Sequence, residues 1–365
     1  MSAHNATPRS AVIFPALAVL LVALVIGTGY AFTPTPAGLV FAAVLLIVLF
    51  GTVFAAVHHA EVIAHEIGEP YGTLLLTLAV TVIEVALIAT IMLGDKAAPA
   101  LARDTVFAVV MIVCNGLVGV CIFIGGLRYR EQDVQVSGAN LYLSVLFTLA
   151  TITLVLPNFT LTSVGPVYSL GQLGFVSVVT ILLYAVFLYT QTERHRDYFI
   201  RDSLGFTEDG PKLPRRMLVF SIVLLMVALL SVVLLAKKFS LVVDAGVAAT
   251  GAPPALAGVL VALLILLPES VAAISAARAN DLQKSINLAL GSSLATIGLT
   301  IPAVAAAASA LDKQLVLGLD SQGMVLLLLT FALSMLTFGT GRTNILFGLV
   351  HMVVFAVFLL LLFVP

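Results

Sequence analysis

The sequence has no tryptophan, only two cysteines in 365 residues, and few charged side chains, which account for 10% of the chain. The cysteines, Cys114 and Cys121, lie in one apolar segment and share a helix face, which excludes the disulfide framework of a small secreted domain. The 17 basic and 18 acidic side chains nearly cancel. No basic surface for nucleic acid is therefore expected.

Motifs of enzymes and of nucleotide-driven pumps are also missing. The chain contains no Walker A pattern, no GxGxxG after a strand and no plausible Ser/His/Asp combination. The spacing excludes a zinc hydrolase, because His65 and Glu66 are followed by Glu69 where the HExxH pattern requires a second histidine. The sequence thus predicts a protein that is not an enzyme and has no bound cofactor.

Hydrophobic residues, in contrast, make up 61% of the chain. A bilayer core of about 30 Å requires about 20 apolar residues per helix. The sequence therefore predicts an all-α polytopic membrane protein in the lipid bilayer, with about eleven spans at residues 11–31, 37–58, 70–93, 104–127, 139–157, 168–190, 217–236, 254–277, 283–309, 315–338 and 343–364. The first span could be a signal peptide, but it is long and no clear cleavage site follows, so we expect an uncleaved helix.

Lysine and arginine predict the orientation of these helices. With the N-terminus inside, twelve of the 17 basic residues fall in cytoplasmic segments, as the positive-inside rule requires. An odd number of spans then places the C-terminus outside. The longest polar stretch, residues 193–216, becomes a cytoplasmic linker between two halves.

One apolar run, residues 254–277, carries Glu269 near its middle, directly after Pro268. An acidic side chain at the centre of a membrane helix costs roughly 2.5 to 3.5 kcal/mol, and it persists only where it pairs, binds an ion or faces water. Pro268 lacks an N–H and clashes with the Leu264 carbonyl, which predicts a helix kink or local unwinding. Carbonyl oxygens freed there would suit a hard cation. The alternative is an ordinary kink, with Glu269 hydrogen-bonded to a neighbouring helix.

The two halves of the chain predict an inverted repeat. After an N-terminal tail and first helix in residues 1–36, five spans lie in residues 37–192 and five in residues 217–365. An odd number of spans per repeat reverses its direction in the membrane. The first repeat has its own intramembrane carboxylate, Glu84, in its second helix. Because antiparallel repeats bring their midpoints to one depth, Glu84 and Glu269 are expected to converge on one cation and proton site.

Hydroxyl and amide side chains near these glutamates could complete an oxygen cage. Thr77 and Thr81 share the helix face of Glu84. The spans that follow the two glutamate helices, residues 104–127 and 283–309, are called the return helices. They supply further candidates for cation and proton binding, namely Asn115, Ser292, Ser293 and Thr296. Two carboxylates close together in a low dielectric resist being ionised at once unless a cation is present, so protons and cations would compete. Each hydroxyl could instead only bond a helix carbonyl or pack between helices.

A second polar cluster follows the second span in the sequence HHAEVIAHEIGEP. If that helix continues beyond the bilayer, His58, Glu61 and His65 lie on one face, with Glu69 close behind. At the cytoplasmic mouth of the Glu84 helix, these groups could collect cations or sense pH, because histidine titrates near neutrality. A solvated turn at the membrane surface is the alternative.

The segments around both glutamates resemble a known family. LPESVAAISAARANDLQKSINLALGSSLATIGLTIP is similar to the second alpha-repeat of the calcium:cation antiporter superfamily, and GEPYGTLLLTLAVTVIEVALIATIML followed by RDTVFAVVMIVCNGLVGV is similar to the first. HEIGEPYGTL, LVALLILLPES and FGTGRTNILFG are most similar to the bacterial ChaA branch of sodium-potassium or calcium/proton antiporters. The resemblance covers spans two to eleven. It implies one helix plus two five-helix repeats, with Glu84 and Glu269 as the central acidic pair that binds the metal ion.

The chain departs from the Gly-Asn-Ala-x-Glu pattern of the wider superfamily. Thr81 stands where the first repeat usually has asparagine, and Leu266 stands where the second does. Two amide oxygens are thereby missing from the implied coordination. This departure weakens the expectation of calcium selectivity and leaves room for monovalent ions.

The resemblance implies a secondary antiporter of the bacterial cytoplasmic (inner) membrane that exports calcium, and also sodium or potassium, in exchange for protons. Inorganic cations and protons would be its only ligands. One alternative is a sodium- or potassium-selective proton antiporter that does not carry calcium. A cation channel is a weaker alternative, since inverted helices with midplane carboxylates favour alternating access.

Overall fold

The structure of the chain is a computed structural model that describes residues 8–29, 32–33, 35–68, 71–92, 99–199, 214–311 and 313–364. Within these ranges the chain is almost entirely helical. The α-helices are α1 (Arg9–Thr28), α2 (Pro36–Ile67), α3 (Tyr71–Met92), α4 (Leu101–Met111), α5 (Val118–Tyr129), α6 (Val136–Ala150), α7 (Leu170–Tyr189), α8 (Arg215–Thr250), α9 (Ala255–Arg278), α10 (Leu282–Ala295), α11 (Ile301–Ala310), α12 (Ser321–Gly339) and α13 (Ile345–Phe363).

Short π-helical turns join or extend several of these helices. The π turn Ile112–Leu117 joins α4 to α5, and the π turn Thr296–Thr300 joins α10 to α11. A π turn is rare and often occurs at functional sites. Outside the return helices, α6 and α7 are extended by π turns and then by 3-10 turns, at Thr151–Val155, Leu156–Phe159, Thr190–Arg194 and Arg196–Tyr198.

The predicted all-α membrane fold is confirmed. Ten helical segments in the described ranges are long and apolar enough to cross a bilayer, and the apolar stretch Leu74–Thr90 of α3 corresponds to the remaining predicted span. Two helices are longer than predicted, since α2 continues past residue 58 and α8 past residue 236. They end at Gly68 and Gly251, which have positive φ values of 76° and 65°. Glycine at a helix end, not the first polar residues, thus terminates both helices.

The helix is continuous at Pro268, since α9 is α-helical from Ala255 to Arg278 with Pro268 inside it. Of the two predicted alternatives, local unwinding does not occur, and the kink stays a prediction. Proline removes a single backbone donor, and membrane helices tolerate that loss where neighbouring helices pack around it. Both Pro268 and Leu264 are buried. The irregular backbone lies instead in the return helices, in the π turns that contain Asn115 and Thr296.

The chain divides into two compact units, and each contains residues from both sides of the predicted linker. The first unit comprises residues 1–97 and 206–251; it contains α1, α2, α3 and α8, which pack on one another. The second unit comprises residues 98–205 and 252–365 and contains the other helices. These compact units are not the predicted five-helix repeats, which are consecutive stretches of the sequence. The repeats stay a prediction.

In the first unit a buried histidine attaches α1 to α2. Pro15 lies inside α1 and has no N–H, so the carbonyl of Ala11, four residues earlier, lacks its helical donor. His59 of α2 is fully buried, and its Nε2 lies 3.1 Å from that carbonyl oxygen. The imidazole N–H therefore donates to the carbonyl that the proline leaves without a partner. This contact gives His59 a structural role.

In the second unit two glycines bring α5 and α13 into backbone contact. A Cβ added at Gly348 would lie 2.8 Å from the carbonyl oxygen of Gly119, and a Cβ at Gly119 would lie 3.0 Å from that of Gly348. Strand β1 (Glu131–Asp133) follows α5 and pairs antiparallel with strand β2 (Arg342–Asn344), which precedes α13. The sequence did not predict this small sheet. Together the two contacts fix α13 against α5.

We expect Gly348→Leu to destabilise the fold by about 1 to 3 kcal/mol, the usual range for overpacking, because the new side chain would force α13 away from α5. Thermal unfolding of the purified protein in detergent measures this loss. Gly27→Leu is the matched control, since a Cβ at Gly27 would meet nothing within 4 Å. An unchanged unfolding temperature in Gly348→Leu would contradict the close approach of the two helices.

Candidate functional site

Glu84 lies in α3 of the first unit and is 1% exposed. On the same helix, Thr81 is 8% exposed, and its hydroxyl donates to the carbonyl oxygen of Thr77 at 2.9 Å. This is the ordinary back-bond that the sequence left open for each hydroxyl. This bond uses the hydroxyl proton of Thr81 and leaves the lone pairs of its oxygen available. The oxygen can therefore still accept a hydrogen bond or bind a cation. Thr77 is partly buried.

Glu269 lies in α9 of the second unit and is partly buried. α9 packs against α10 and against the π turn Ile112–Leu117. The second unit thus brings the helix of Glu269 together with both return helices, which carry the predicted residues Asn115, Ser292, Ser293 and Thr296. Glu84 belongs to the other unit, and its predicted convergence with Glu269 stays a prediction.

The predicted hydroxyl residues of α10 and of the π turn that follows it differ in their surroundings. Ser293 and Thr296 are buried, whereas Ser292 is partly buried. The hydroxyl oxygen of Ser293 is enclosed and has no hydrogen-bond partner in the part of the chain that the structure describes. Burying a hydroxyl without a partner costs about 1 to 3 kcal/mol, so such atoms are uncommon unless they have a function. This property makes Ser293 the strongest ligand candidate of the three.

Asn115 has polar partners in two other helices. It is fully buried in the π turn between α4 and α5. Its Nδ2 donates to the hydroxyl of Thr330 in α12 at 2.8 Å, and its Oδ1 lies 3.2 Å from Nδ1 of His351 in α13. On the other side of the imidazole ring, Nε2 lies 3.0 Å from the hydroxyl of Thr337. All four residues are 0% exposed, so they form a polar chain inside the second unit.

Sequence reasoning missed His351 and the polar face of α12. Thr330, Ser334 and Thr337 repeat at i, i+4 and i+7 in an apolar helix and are at most 1% exposed. His351 is the single ionisable residue of α13, which is a detectable signal because such residues in membrane spans are functional candidates. Their contacts could not be predicted, since His351 and Asn115 are 236 positions apart.

The predicted polar cluster lies on α2, which continues past residue 58 to Ile67, so the condition for its shared helix face is met. His58 is partly buried, and Glu61 and His65 are exposed. Glu69 lies outside the described residues. The rings of His58 and His59 are 5.4 Å apart, but His59 contacts α1 and so is separate from the cluster. The exposed members can interact with solvent ions.

A cavity of about 220 Å³ in the second unit has no counterpart in the predictions. Arg103 and Asp104 of α4 line it, together with Asp320 at the start of α12. Nη2 of Arg103 lies 2.8 Å from Oδ1 of Asp104, and Nη1 donates to the carbonyl oxygen of Gly318 at 3.2 Å. The arginine therefore compensates the negative charge of Asp104.

Known proteins resemble this chain over most of its length. The family model described as sodium/calcium exchanger protein matches residues 36–193 and 220–364. These two stretches nearly coincide with the predicted five-helix repeats. The match therefore includes both predicted carboxylates and both return helices.

Individual relatives agree with the family match. The protein y4hA of Sinorhizobium fredii is 48% identical over 322 residues, which are 87% of each chain. The sodium-potassium/proton antiporter ChaA of Escherichia coli is 36% identical over 322 residues, again 87% of each chain. A crystal structure of the Ca2+/H+ antiporter protein YfkE has a TM-score of 0.70 and 17% identity, covering 97% of this chain and 99% of that chain. The last comparison concerns the fold alone.

Proposed function

Because this chain belongs to the sodium/calcium exchanger protein family, we propose that it exports calcium from a bacterial cytoplasm across the inner membrane in exchange for protons. Family membership and the apolar helices make it a multi-pass membrane protein with a general cation antiport activity. The observation that carries the proposal is Glu84, which is 1% exposed in an apolar helix. A carboxylate in a membrane helix persists where it pairs, binds an ion or faces water.

The proposed site uses Glu84 and Glu269 as its two charged ligands. We assign them to one site because antiparallel repeats carry their midpoints to the same depth. In a low dielectric, two nearby carboxylates resist being ionised together unless a cation or protons neutralise them. The same oxygens would therefore bind either a cation or protons, and this competition couples the two fluxes.

Neutral oxygens of the return helices would complete the coordination. Calcium takes six to eight oxygen ligands, and the described residues contain no group of three or more His, Cys, Asp or Glu that could hold a metal ion. Hydroxyl and amide oxygens must then supply much of the shell. The enclosed hydroxyl of Ser293 and the buried amide of Asn115 support this assignment. Thr81, Thr77, Ser292 and Thr296 are the further candidates.

The charge of the site determines the proposed stoichiometry. A calcium ion neutralises both carboxylates, so the cation-free site returns across the membrane with two protons. A monovalent ion needs only one ionised carboxylate, and the other stays protonated, which gives one proton per ion. With either cation, a proton gradient drives export by alternating access of a site near the middle of the bilayer.

A sodium- or potassium-selective proton antiporter is the second candidate function. Thr81 and Leu266 replace the two asparagines of the wider family pattern, which removes two amide oxygens. A monovalent ion loses less from fewer ligands than calcium does. The relative in Escherichia coli is named a sodium-potassium/proton antiporter, which also favours this candidate.

Proteoliposomes with an imposed pH gradient test the proposal. Calcium should dissipate the gradient at a saturable rate and should be more effective than sodium or potassium. Dissipation by sodium or potassium without any effect of calcium would support the second candidate instead. A cation current that persists without a pH gradient would indicate a channel, and no dissipation by any of the three cations would refute antiport of these ions.

We expect the cluster on α2 to modulate transport without forming part of the ion site. The double change His58→Gln and His65→Gln removes two ionisable side chains, so it should move the pH profile of exchange and leave the maximal rate within about twofold. Exchange rates measured across a pH series check this expectation. His59→Leu is the comparison, since it removes the contact with Ala11 and should lower the unfolding temperature. Loss of exchange at every pH in the double variant would place the cluster in the ion path.

A further inference from the structure

The polar chain around His351 has one consistent arrangement of hydrogens. The hydroxyl of Thr330 donates to the carbonyl oxygen of Leu326 at 2.7 Å, so toward Asn115 the same oxygen can only accept. The group of Asn115 that faces Thr330 at 2.8 Å is therefore the NH2 group. The other end of the amide, Oδ1, must then face the imidazole of His351.

This orientation also determines the tautomer of His351. Nδ1 faces the amide oxygen of Asn115 at 3.2 Å. Only an N–H can bond to an acceptor oxygen, so Nδ1 carries the hydrogen. In the neutral ring Nε2 is then an acceptor, and it receives the hydroxyl proton of Thr337 at 3.0 Å. Each group of the chain thus has a partner without a buried charge.

An asparagine amide needs such a partner because its two ends have nearly the same shape. A flip by 180° would exchange the oxygen for an NH2 group at little steric cost, but NH2 has only donors and would repel a cation. The His351 N–H binds one lone pair of the oxygen and leaves the second available. Residues that hydrogen-bond to a metal ligand fix its orientation, and their loss typically lowers metal affinity about 10- to 100-fold.

We propose that His351 is a positioning residue that holds the amide oxygen of Asn115, in the π turn between α4 and α5, toward the transported cation. The inference rests on the proposed function, because it assumes that Asn115 is a ligand. Thr330 fixes the nitrogen end of the amide and His351 fixes the oxygen end. The close contact of α5 with α13 at Gly119 and Gly348 brings the imidazole within reach of Asn115.

Two isosteric variants separate positioning from packing. In His351→Asn, the amide nitrogen takes the place of Nδ1 and can still donate to Asn115. In His351→Gln, the amide takes the place of Nε2, so it keeps the contact with Thr337 and loses the one with Asn115. His351→Leu loses both. The readout is the half-saturating cation concentration and the maximal rate of exchange in proteoliposomes, measured with calcium and with sodium.

We expect His351→Asn to bind the cation within about threefold of wild type, whereas His351→Gln and His351→Leu raise the half-saturating concentration about 10- to 100-fold with little change in maximal rate. Thr337→Val, which changes only the Nε2 side, should resemble wild type. Asn115→Ala should raise the half-saturating concentration as much as His351→Leu does. Adding His351→Leu to Asn115→Ala should raise it no further, because the effects of substitutions at interacting residues do not add.

Two results would overturn the positioning role. One is equal affinity in the Asn and Gln variants of His351, and the other is an additive loss in the double variant with Asn115→Ala. Thermal unfolding of each variant accompanies the assay, and if His351→Leu does not fold, the Asn and Gln pair decides the question. Wild-type protein without exchange would refute the proposed function instead, so the two failures are distinguishable.

Discussion

Glu84→Gln and Glu269→Gln are each expected to abolish cation-driven proton exchange while the chain remains inserted and folded. The amide keeps the shape of the carboxylate but has neither its charge nor its titratable proton. Exchange couples the cation to a proton at these carboxylates, so a variant with no titratable group at one of the two positions has no complete cycle. Initial rates in proteoliposomes, at several cation concentrations, measure the loss.

Three further substitutions serve as controls for these variants. Glu131 in β1 is exposed and lies 3.8 Å from Arg342, an exposed ion pair of small energetic value, so Glu131→Gln should exchange at the wild-type rate. Glu84→Asp and Glu269→Asp keep the charge on a shorter side chain and should retain part of the activity. Wild-type rates in either Gln variant would remove that glutamate from the ion site and refute the paired mechanism.

The helices were predictable because their signal is local. An apolar run of about 20 residues is sufficient to indicate a membrane span, and neither the compact units nor any distant contact is needed to recognise it. The errors concern where helices end. The sequence placed the end of α8 near Lys237 and Lys238, yet the helix continues to Thr250 and stops only at Gly251. Charged side chains at a membrane surface can remain in a helix, since their backbone hydrogen bonds are unaffected.

The candidate site was only partly predictable from the sequence. Glu84 and Glu269 stand out because a carboxylate is rare in an apolar run. The role of a hydroxyl depends on its neighbours, and Thr81 and Ser293 demonstrate this. Thr81 forms the local back-bond to Thr77, whereas Ser293 has no partner among the described residues. Both are ordinary hydroxyl residues of apolar helices in the sequence.

The π turns occupy corresponding positions in the two predicted repeats, and the first of them contacts residues far along the chain. Asn115 and Thr296 lie in π turns of the third helix of each predicted repeat, which is the correspondence that an inverted repeat would produce. The apolar periodicity of a helix does not reveal a π turn, because the turn has the same residue types as the α-helix around it and differs only in its i→i+5 hydrogen bonds. In the first of these turns, the buried partners of Asn115 come from α12 and α13, more than 200 residues later in the chain. We expect the geometry of the turn to depend on these contacts.

Thr81→Asn is expected to shift cation preference toward calcium, by about tenfold in the calcium-to-sodium ratio of apparent affinities, or about 1.4 kcal/mol. A divalent ion takes six to eight oxygen ligands and gains more from an added amide oxygen than a monovalent ion does. Thr81 is buried three positions before Glu84 on the same helix face, and its hydroxyl proton already bonds to Thr77 at 2.9 Å. Vesicle assays in which the pH gradient and the membrane potential are clamped separately give the two affinities.

Thr192→Asn is the matched control for this change, because Thr192 is 9% exposed and back-bonded to the carbonyl oxygen of Leu188 at 2.8 Å, close to the values for Thr81. The two substitutions therefore remove the same hydrogen bond from equally buried positions, and Thr192 has no place in the proposed site. The calcium-to-sodium ratio should change in Thr81→Asn alone. An unchanged ratio there would mean that position 81 does not face the ion, whereas equal changes in both variants would indicate a general effect on the fold. A shift confined to Thr81→Asn would also explain why a chain without the two family asparagines can favour monovalent cations.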